Sequence, residues 1–101
     1  MKYKEGEVYY QVTYVDPAMC YPKIETFVFV GVTHSEGGQD VWCFQYTDGY
    51  AKFGSVLKNK DGDRRAFLAT KSDLEEMIDR HALDSLLKAA TMRRKKKNER
   101  P

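Results

Sequence analysis

The residues of this chain that could catalyse a reaction or bind a metal are few and lie far apart in the sequence. His34 and His81 are the two histidines, and neither has a cysteine or second histidine at the spacing that zinc sites use. Asp61-Gly62-Asp63 resembles only a fragment of a calcium-binding loop, because the alternating acidic series and the closing glutamate are missing. The sequence therefore predicts no metal site and no cofactor.

Phosphate binding and acid–base catalysis find little more support. Gly37-Gly38 lies between two predicted strands, where no helix N-terminus is available to hold an anion. Carboxylates at predicted turns, such as Asp48 or Asp61, could act beside a tyrosine if the fold brought them into one pocket. Such carboxylates ordinarily accept hydrogen bonds from the nearby backbone, so we expect a protein that is not an enzyme.

Aromatic side chains are the first binding candidates. Trp42, Phe44, Tyr46 and Tyr50 lie in or beside a predicted strand, and exposed rings there could bind a partner protein. A small β-rich domain also needs large aromatic side chains to fill its core, so core packing is the alternative for each ring. A protein-binding role requires that some of them be exposed.

A basic block near the end of the chain is the second binding candidate, and it consists of Arg93, Arg94, Lys95, Lys96 and Lys97. Residues 1–92 hold 11 Lys or Arg against 14 Asp or Glu, a net charge of −3, whereas residues 93–101 hold six against one, a net charge of +5. Clustered cations attract nucleic acid through counterion release without a defined geometry. Basic ends also serve as solubilising tails or as helix C-terminal charges, which is the alternative.

The elements that must position these residues begin with three strands. Residues 7–15 alternate apolar and polar side chains with a period of two, which predicts a half-buried strand. Residues 24–33 predict a second strand, and apolar residues on both its faces place it in the centre of a sheet. Residues 41–46 predict a third strand, rich in aromatic side chains that favour β structure.

Turn signals predict two further strands. The pair Asp48-Gly49 favours a tight hairpin turn, after which the alternation over residues 50–56 predicts a fourth strand. A turn cluster over residues 58–63 leads to a short fifth strand over residues 65–69.

The last third of the chain favours helix. Ser72 followed three residues later by Glu75 has the form of a capping box, which marks a helix N-terminus. The apolar residues before Asp79 and those after Ala82 fall on nearly opposite sides of a single helix. We therefore expect a break near residues 79–82, which gives two short helices or one sharply kinked helix.

These elements predict one α+β domain over residues 1–92, followed by a basic, disordered tail over residues 93–101. Five short antiparallel strands favour a small, partly open barrel of the Src-homology-3 kind, covered by the helical segment. A flat sheet with the helical segments on one face is the alternative. The length of 101 residues suits a single core, and 42% hydrophobic residues are typical of a folded protein.

Export and membrane insertion are not indicated by the sequence. No apolar run approaches the roughly 20 residues that cross a bilayer, and charge interrupts the first residues where a signal peptide would be apolar. We expect a cytoplasmic protein without a membrane partner. Its two cysteines, Cys20 and Cys43, are expected to stay reduced, with Cys43 acting as a small buried residue.

The missing catalytic machinery favours a non-enzymatic binding or regulatory module whose partner is a protein. The alternative is a nucleic-acid-associated protein that uses its basic tail, and a small enzyme is the third hypothesis. The sequence leaves the partner's identity and the oligomeric state open.

Overall fold

Four antiparallel strands form one open sheet in the order β1-β2-β3-β4 in the computed structural model, which describes residues 3–58 and 66–98. The strands are β1 (Val8–Tyr14), β2 (Pro22–His34), β3 (Asp40–Tyr46) and β4 (Ala66–Ala69). All four coincide with predicted strands to within two residues. The α+β class is confirmed, because helices lie both between the strands and after them.

Strand β2 is central, as the sequence predicts. Four consecutive side chains, those of residues 27–30, are buried because the two faces of the sheet are both covered at this point. Phe29 pairs with Phe44 but Gly31 pairs with Cys43, so one extra residue bulges from β2. Gly31 has a φ of +140°, and a Cβ there would lie 3.1 Å from Leu57 Cδ1, so the bulge requires glycine.

The predicted hairpin after β3 is wrong. Residues that were expected to form a turn and a fourth strand form α1 (Thr47–Phe53) instead. Asp48 lies in its first turn, where a carboxylate favours the positive end of a helix. Gly54 ends α1 with φ 75° and ψ −166°, a conformation open almost only to glycine. The Asp-Gly pair therefore starts a helix rather than a tight turn.

Without that strand the sheet does not curl into the predicted barrel. Strands β1 and β4 are its two edges, and they do not pair with each other. The described residues therefore hold a four-stranded open sheet rather than five strands of a Src-homology-3-like barrel. The turn cluster predicted at residues 58–63 lies almost wholly outside the described residues.

The helical segment is broken, but slightly earlier than predicted. A 3-10 helix (Leu74–Glu76) is followed by extended backbone at Met77, and α2 (Arg80–Asn98) begins three residues later. The break arises because Met77 enters the core while Ile78 exchanges two backbone hydrogen bonds with Tyr10 of β1, at 2.8 and 2.9 Å. The second helix is also long, with 19 residues, rather than short.

The capping box predicted at Ser72 and Glu75 is not formed. Asp73 instead accepts hydrogen bonds from the backbone and hydroxyl of Thr70, at 3.3 and 2.9 Å. The capping carboxylate of this region belongs to Asp79, whose Oδ1 accepts from the Ala82 amide at 2.9 Å and so satisfies the first turn of α2.

The end of the chain also differs from the prediction. Residues 93–98 belong to α2 and are helical, whereas we expected an irregular basic tail. The physical reason is that Arg93 and Arg94 donate hydrogen bonds to carbonyl oxygens of the loop between β1 and β2. The division into a domain ending at residue 92 and a separate tail stays a prediction.

The core has two parts, one on each face of the sheet. On the larger face, residues from all four strands pack with Met77 beneath a cover of Tyr3 and Leu74; the buried members are Tyr9, Phe27, Phe29, Phe44, Ala69 and Met77. On the smaller face, Val28, Val30 and Cys43 lie beneath Tyr50 and Val56. Helix α1 and the residues after it therefore cover one face, and the 3-10 helix with the N-terminal segment covers the other.

Cys43 is expected to be unreactive in the folded protein. Both cysteines are free and buried, and burial raises the pKa of the Cys43 thiol above its ordinary value of 9.0. Since the folded state holds this proton more tightly than the unfolded chain, the associated stability is present below pH 9.0 and is lost as the pH rises through the folded pKa.

Iodoacetamide labelling followed by peptide mass spectrometry between pH 7 and 9 measures this directly. We expect Cys43 to be labelled only at the rate at which the sheet opens, with a strong dependence on added urea. The urea-unfolded protein is the reference. A native labelling rate equal to that of the unfolded chain would show that the thiol is accessible.

Candidate functional site

The four aromatic candidates do not form one surface. Phe44 is 0% exposed and lies at the centre of the larger core, with Trp42 half-buried beside it. Tyr46 is 39% exposed, and its ring centroid lies 4.7 Å from that of Phe27. Tyr50 packs on the smaller face of the sheet. Phe44 is therefore a core residue, and Trp42 is the candidate that borders an accessible cavity.

That cavity is an open groove of about 680 Å³ on the larger face of the sheet. It runs between the start of β3 and the segment around the 3-10 helix. Its lining is mainly apolar and consists of Tyr3, Phe29, Val32, Trp42, Lys71, Leu74, Glu75, Met77 and Ile78. We call it the Trp42 groove. Trp42 lies opposite Val32 of β2 in the sheet register, and Val32 is 46% exposed. The groove exists because the cover over the core stops before it reaches this end of the sheet.

Tyr3 fixes one wall of the Trp42 groove. Its hydroxyl lies 2.8 Å from the carbonyl oxygens of both Leu74 and Met77, so it ties the N-terminal segment to the 3-10 helix. Its ring stands edge-on to Tyr9, with the centroids 4.8 Å apart. Burial is the main cause that raises the pKa of this phenol. Sequence reasoning missed Tyr3, because it lies ahead of the first predicted strand and its partners are more than 70 residues away.

Gln45 is a second residue that sequence reasoning missed. Its side chain is fully buried in β3. The amide nitrogen donates to the Gly54 carbonyl at 3.0 Å, and the amide oxygen accepts from the Val56 backbone N–H at 3.0 Å. A buried amide whose donor and acceptor are both used fixes the path of the chain as it leaves α1.

The basic block is divided between structural and free cations. Arg93 Nε donates to the Met19 carbonyl at 2.6 Å, and its guanidinium lies 5.5 Å from the Tyr14 ring centroid. Arg94 Nη1 donates to the Cys20 carbonyl at 2.7 Å. The two arginines thus hold α2 against the loop between β1 and β2.

The three lysines that follow are exposed. In the part of the chain that the structure describes, Lys95, Lys96 and Lys97 make no ion pair within 4 Å. Lys97 lies near enough to Asp16 to act on it electrostatically. Hydrogen bonds from the Cys20 backbone first, and this positive charge in smaller part, lower the pKa of the Asp16 carboxyl.

Side chains that could ligate a metal are scattered. His34 Nδ1 lies 3.1 Å from Asp40 Oδ1 at the surface, and His81 is exposed in the first turn of α2. Among the described residues, no three His, Cys, Asp or Glu side chains form a group that could hold a metal ion. The fragment at residues 61–63 lies outside those residues. Asp48, a turn carboxylate considered for catalysis, accepts a hydrogen bond from the Gly49 amide at 2.8 Å.

Over residues 3–58 and 66–98, no helix has both the length and the apolar character that crossing a membrane requires.

Comparisons with models of known protein families, with curated proteins and with solved structures find no match for this chain.

Proposed function

We propose that this protein is a non-enzymatic binding module that receives an apolar segment of a partner protein in the Trp42 groove. The observation that carries the proposal is a half-buried tryptophan in an open, mainly apolar groove. Tryptophan is enriched among the residues that dominate binding energy at protein interfaces, since it offers a large contact area with few rotatable bonds. The volume of about 680 Å³ lies in the usual range of ligand pockets, so the groove has room for at least one side chain of a bound peptide.

The rim of the Trp42 groove supports a peptide occupant. Lys71 and Glu75 lie at its edge, and both side chains are exposed. A polypeptide that places apolar side chains against Trp42 could pair its own flanking charges with this lysine and this glutamate. Rim charges of this kind steer orientation more than they add affinity.

The rest of the lining supports binding rather than catalysis. Tyr3 is the other ionisable side chain there, and its hydroxyl is already engaged by two backbone carbonyls. The described lining residues thus include no serine, threonine, cysteine or histidine, the side chains that most hydrolytic sites use as nucleophile and base.

The single tryptophan makes the proposal testable, because Trp42 emission reports on this groove alone. Peptides selected from a displayed random library against the full chain are expected to shift Trp42 emission and to protect it from acrylamide quenching. Val32→Glu places a charge in the groove at a residue that is 46% exposed, so the fold should tolerate it. We expect Val32→Glu to weaken peptide binding by about tenfold or more, the effect of desolvating an unpaired charge.

Val15→Glu is the matched control. It makes the same chemical change at a valine that is 72% exposed and lies outside the groove lining. Partners from the native host should be retained by the parent and by Val15→Glu, and released by Val32→Glu. The proposal fails if selected peptides bind Val32→Glu as tightly as the parent, or if they leave Trp42 emission unchanged.

A further inference from the structure

A second concave site lies where the end of α2 meets the loop between β1 and β2. A cleft of about 300 Å³ is lined there by Ala18, Cys20, Arg93, Lys96 and Lys97. Three of these five residues are cations. We call it the basic cleft.

The cations of the basic block have different positions relative to this cleft. Lys96 and Lys97 line it, whereas Lys95 does not. An α-helix turns by about 100° per residue, so positions i, i+3 and i+4 share a face, which groups Arg93, Lys96 and Lys97 and turns Lys95 away. Arg93 also lines the cleft, but its Nε is used by the Met19 carbonyl. The two lysines are therefore the cations that are free to meet a ligand, and the arginines position them.

We propose that the basic cleft binds the phosphodiester backbone of a nucleic acid, with Lys96 and Lys97 as the phosphate contacts. Lysine suits this role because its ammonium is a point charge with three donors on a flexible stem. The exposed ring of Tyr21 lies at the same loop, with the Arg94 guanidinium 5.9 Å from its centroid. A basic groove beside a planar aromatic or guanidinium surface is the usual combination for holding nucleic-acid strands.

The shape of the site favours a polynucleotide over a lipid surface. Lys96 and Lys97 border a concavity, which a narrow strand can enter and a planar bilayer cannot. The net charge is +5 over residues 93–101 and −3 over residues 1–92, so positive charge is concentrated at this end of the chain. Asp16 is the nearby carboxylate that opposes it, since it interacts with Lys97.

Fluorescence anisotropy with single-stranded DNA and RNA oligonucleotides tests the proposal on the full chain. The double variant Lys96→Gln/Lys97→Gln is expected to bind at least about tenfold more weakly at 50 mM salt, and its slope of log affinity against log salt should fall by about 1.4, which is about 0.7 for each lost contact to a single strand. The helix should survive, because lysine and glutamine have similar helix propensities.

The matched control is Lys88→Gln/Lys95→Gln, which removes the same charge from the same helix outside the basic cleft. It should leave the salt slope within about 0.5 of the parent value. Asp16→Asn should tighten binding, because it removes the opposing charge and keeps an oxygen that can accept from the Cys20 and Tyr21 amides.

Three outcomes would overturn the proposal. One is an equal loss of affinity in both double variants, which would mean that only net charge matters. Another is the absence of oligonucleotide binding by the parent at 50 mM salt. The third is binding to phosphatidylserine vesicles without binding to either oligonucleotide, which would assign the cations to a lipid surface. None of these results depends on the Trp42 groove, so the two proposals stand or fall separately.

Discussion

Phe44→Ala is expected to destabilise the fold by about 3–5 kcal/mol, the usual cost of removing a fully buried phenylalanine ring. Phe44 is 0% exposed, and its ring lies 5.3 Å from both Tyr3 and Phe29, measured between centroids. Within residues 3–58 and 69–98, no other side chain of β3 has as many aromatic neighbours. The cavity left by alanine would lie between the N-terminal segment and β2, where the backbone of the sheet cannot collapse to fill it.

Urea unfolding followed by Trp42 emission measures this loss. Tyr46→Ala is the control, because it removes an aromatic ring from the same strand at a residue that is 39% exposed. Tyr46→Ala is expected to lower the free energy of unfolding by about 1–2 kcal/mol, because the Tyr46 ring buries less apolar area than the Phe44 ring. If the two variants were equally stable, the ring of Phe44 would not occupy the core as described.

The strands were predictable because each one carries its own local signal. In β1 the alternation of side chains is regular, and in β2 a run of apolar residues on both faces indicates a central strand. The sequence could not reveal the bulge at Gly31, because this depends on pairing with Cys43 and on the approach of Leu57. The local pattern thus predicts which residues form a strand, whereas the pairing register between two strands also depends on the partner strand.

Helix α1 shows where local signals are ambiguous. Asp48-Gly49 is a strong hairpin signal, but an acidic residue followed a turn later by Lys52 and Gly54 also fits a short helix with a glycine end. The helix forms because Gln45 holds its exit and Tyr50 packs on the sheet. Tertiary contacts of this kind override propensity in segments of about seven residues, which have little intrinsic helical stability.

The candidate sites depend even more on distant contacts. Trp42 and Phe44 lie two residues apart on one face of β3, so the sequence pattern does not distinguish which of the two is exposed. Their exposure differs because the cover formed by Tyr3 and Leu74 lies over Phe44 and leaves Trp42 half-buried beside the groove. In the basic block, likewise, composition alone cannot separate the arginines that hold the loop from the lysines that line a cleft. That distinction depends on how α2 is rotated about its axis relative to the loop between β1 and β2, because the rotation decides which side chains reach the loop.

Gln45→Leu is expected to destabilise the protein by about 2–3 kcal/mol, even though it places an apolar side chain in a buried position. The substitution leaves the Gly54 carbonyl and the Val56 amide, both in half-buried residues, without their partner. Each lost hydrogen bond costs about 1–3 kcal/mol, partly offset by the added apolar burial. The substitution should loosen the segment after α1 locally, in addition to lowering the free energy of unfolding of the whole protein. Val56 and Tyr50 cover Cys43, so loosening this segment should raise the iodoacetamide labelling rate of Cys43 in the folded protein.

Gln45→Glu separates the hydrogen bonds from the packing. A glutamate has the same shape and keeps an acceptor for the Val56 amide, but when ionised it has no proton to donate to the Gly54 carbonyl and places a charge in a buried site. A buried carboxyl of this kind has a folded pKa above its unfolded value of about 4.3. Its stability relative to the parent should therefore be poor at pH 7 and improve as the pH falls towards 5, where the protonated acid can donate.

Gln45→Leu should show no such recovery, and urea unfolding of both variants at pH 7 and pH 5 measures the difference. Equal pH dependence in the two variants, or parental stability and Cys43 labelling in Gln45→Leu, would show that the amide does not hold the segment after α1.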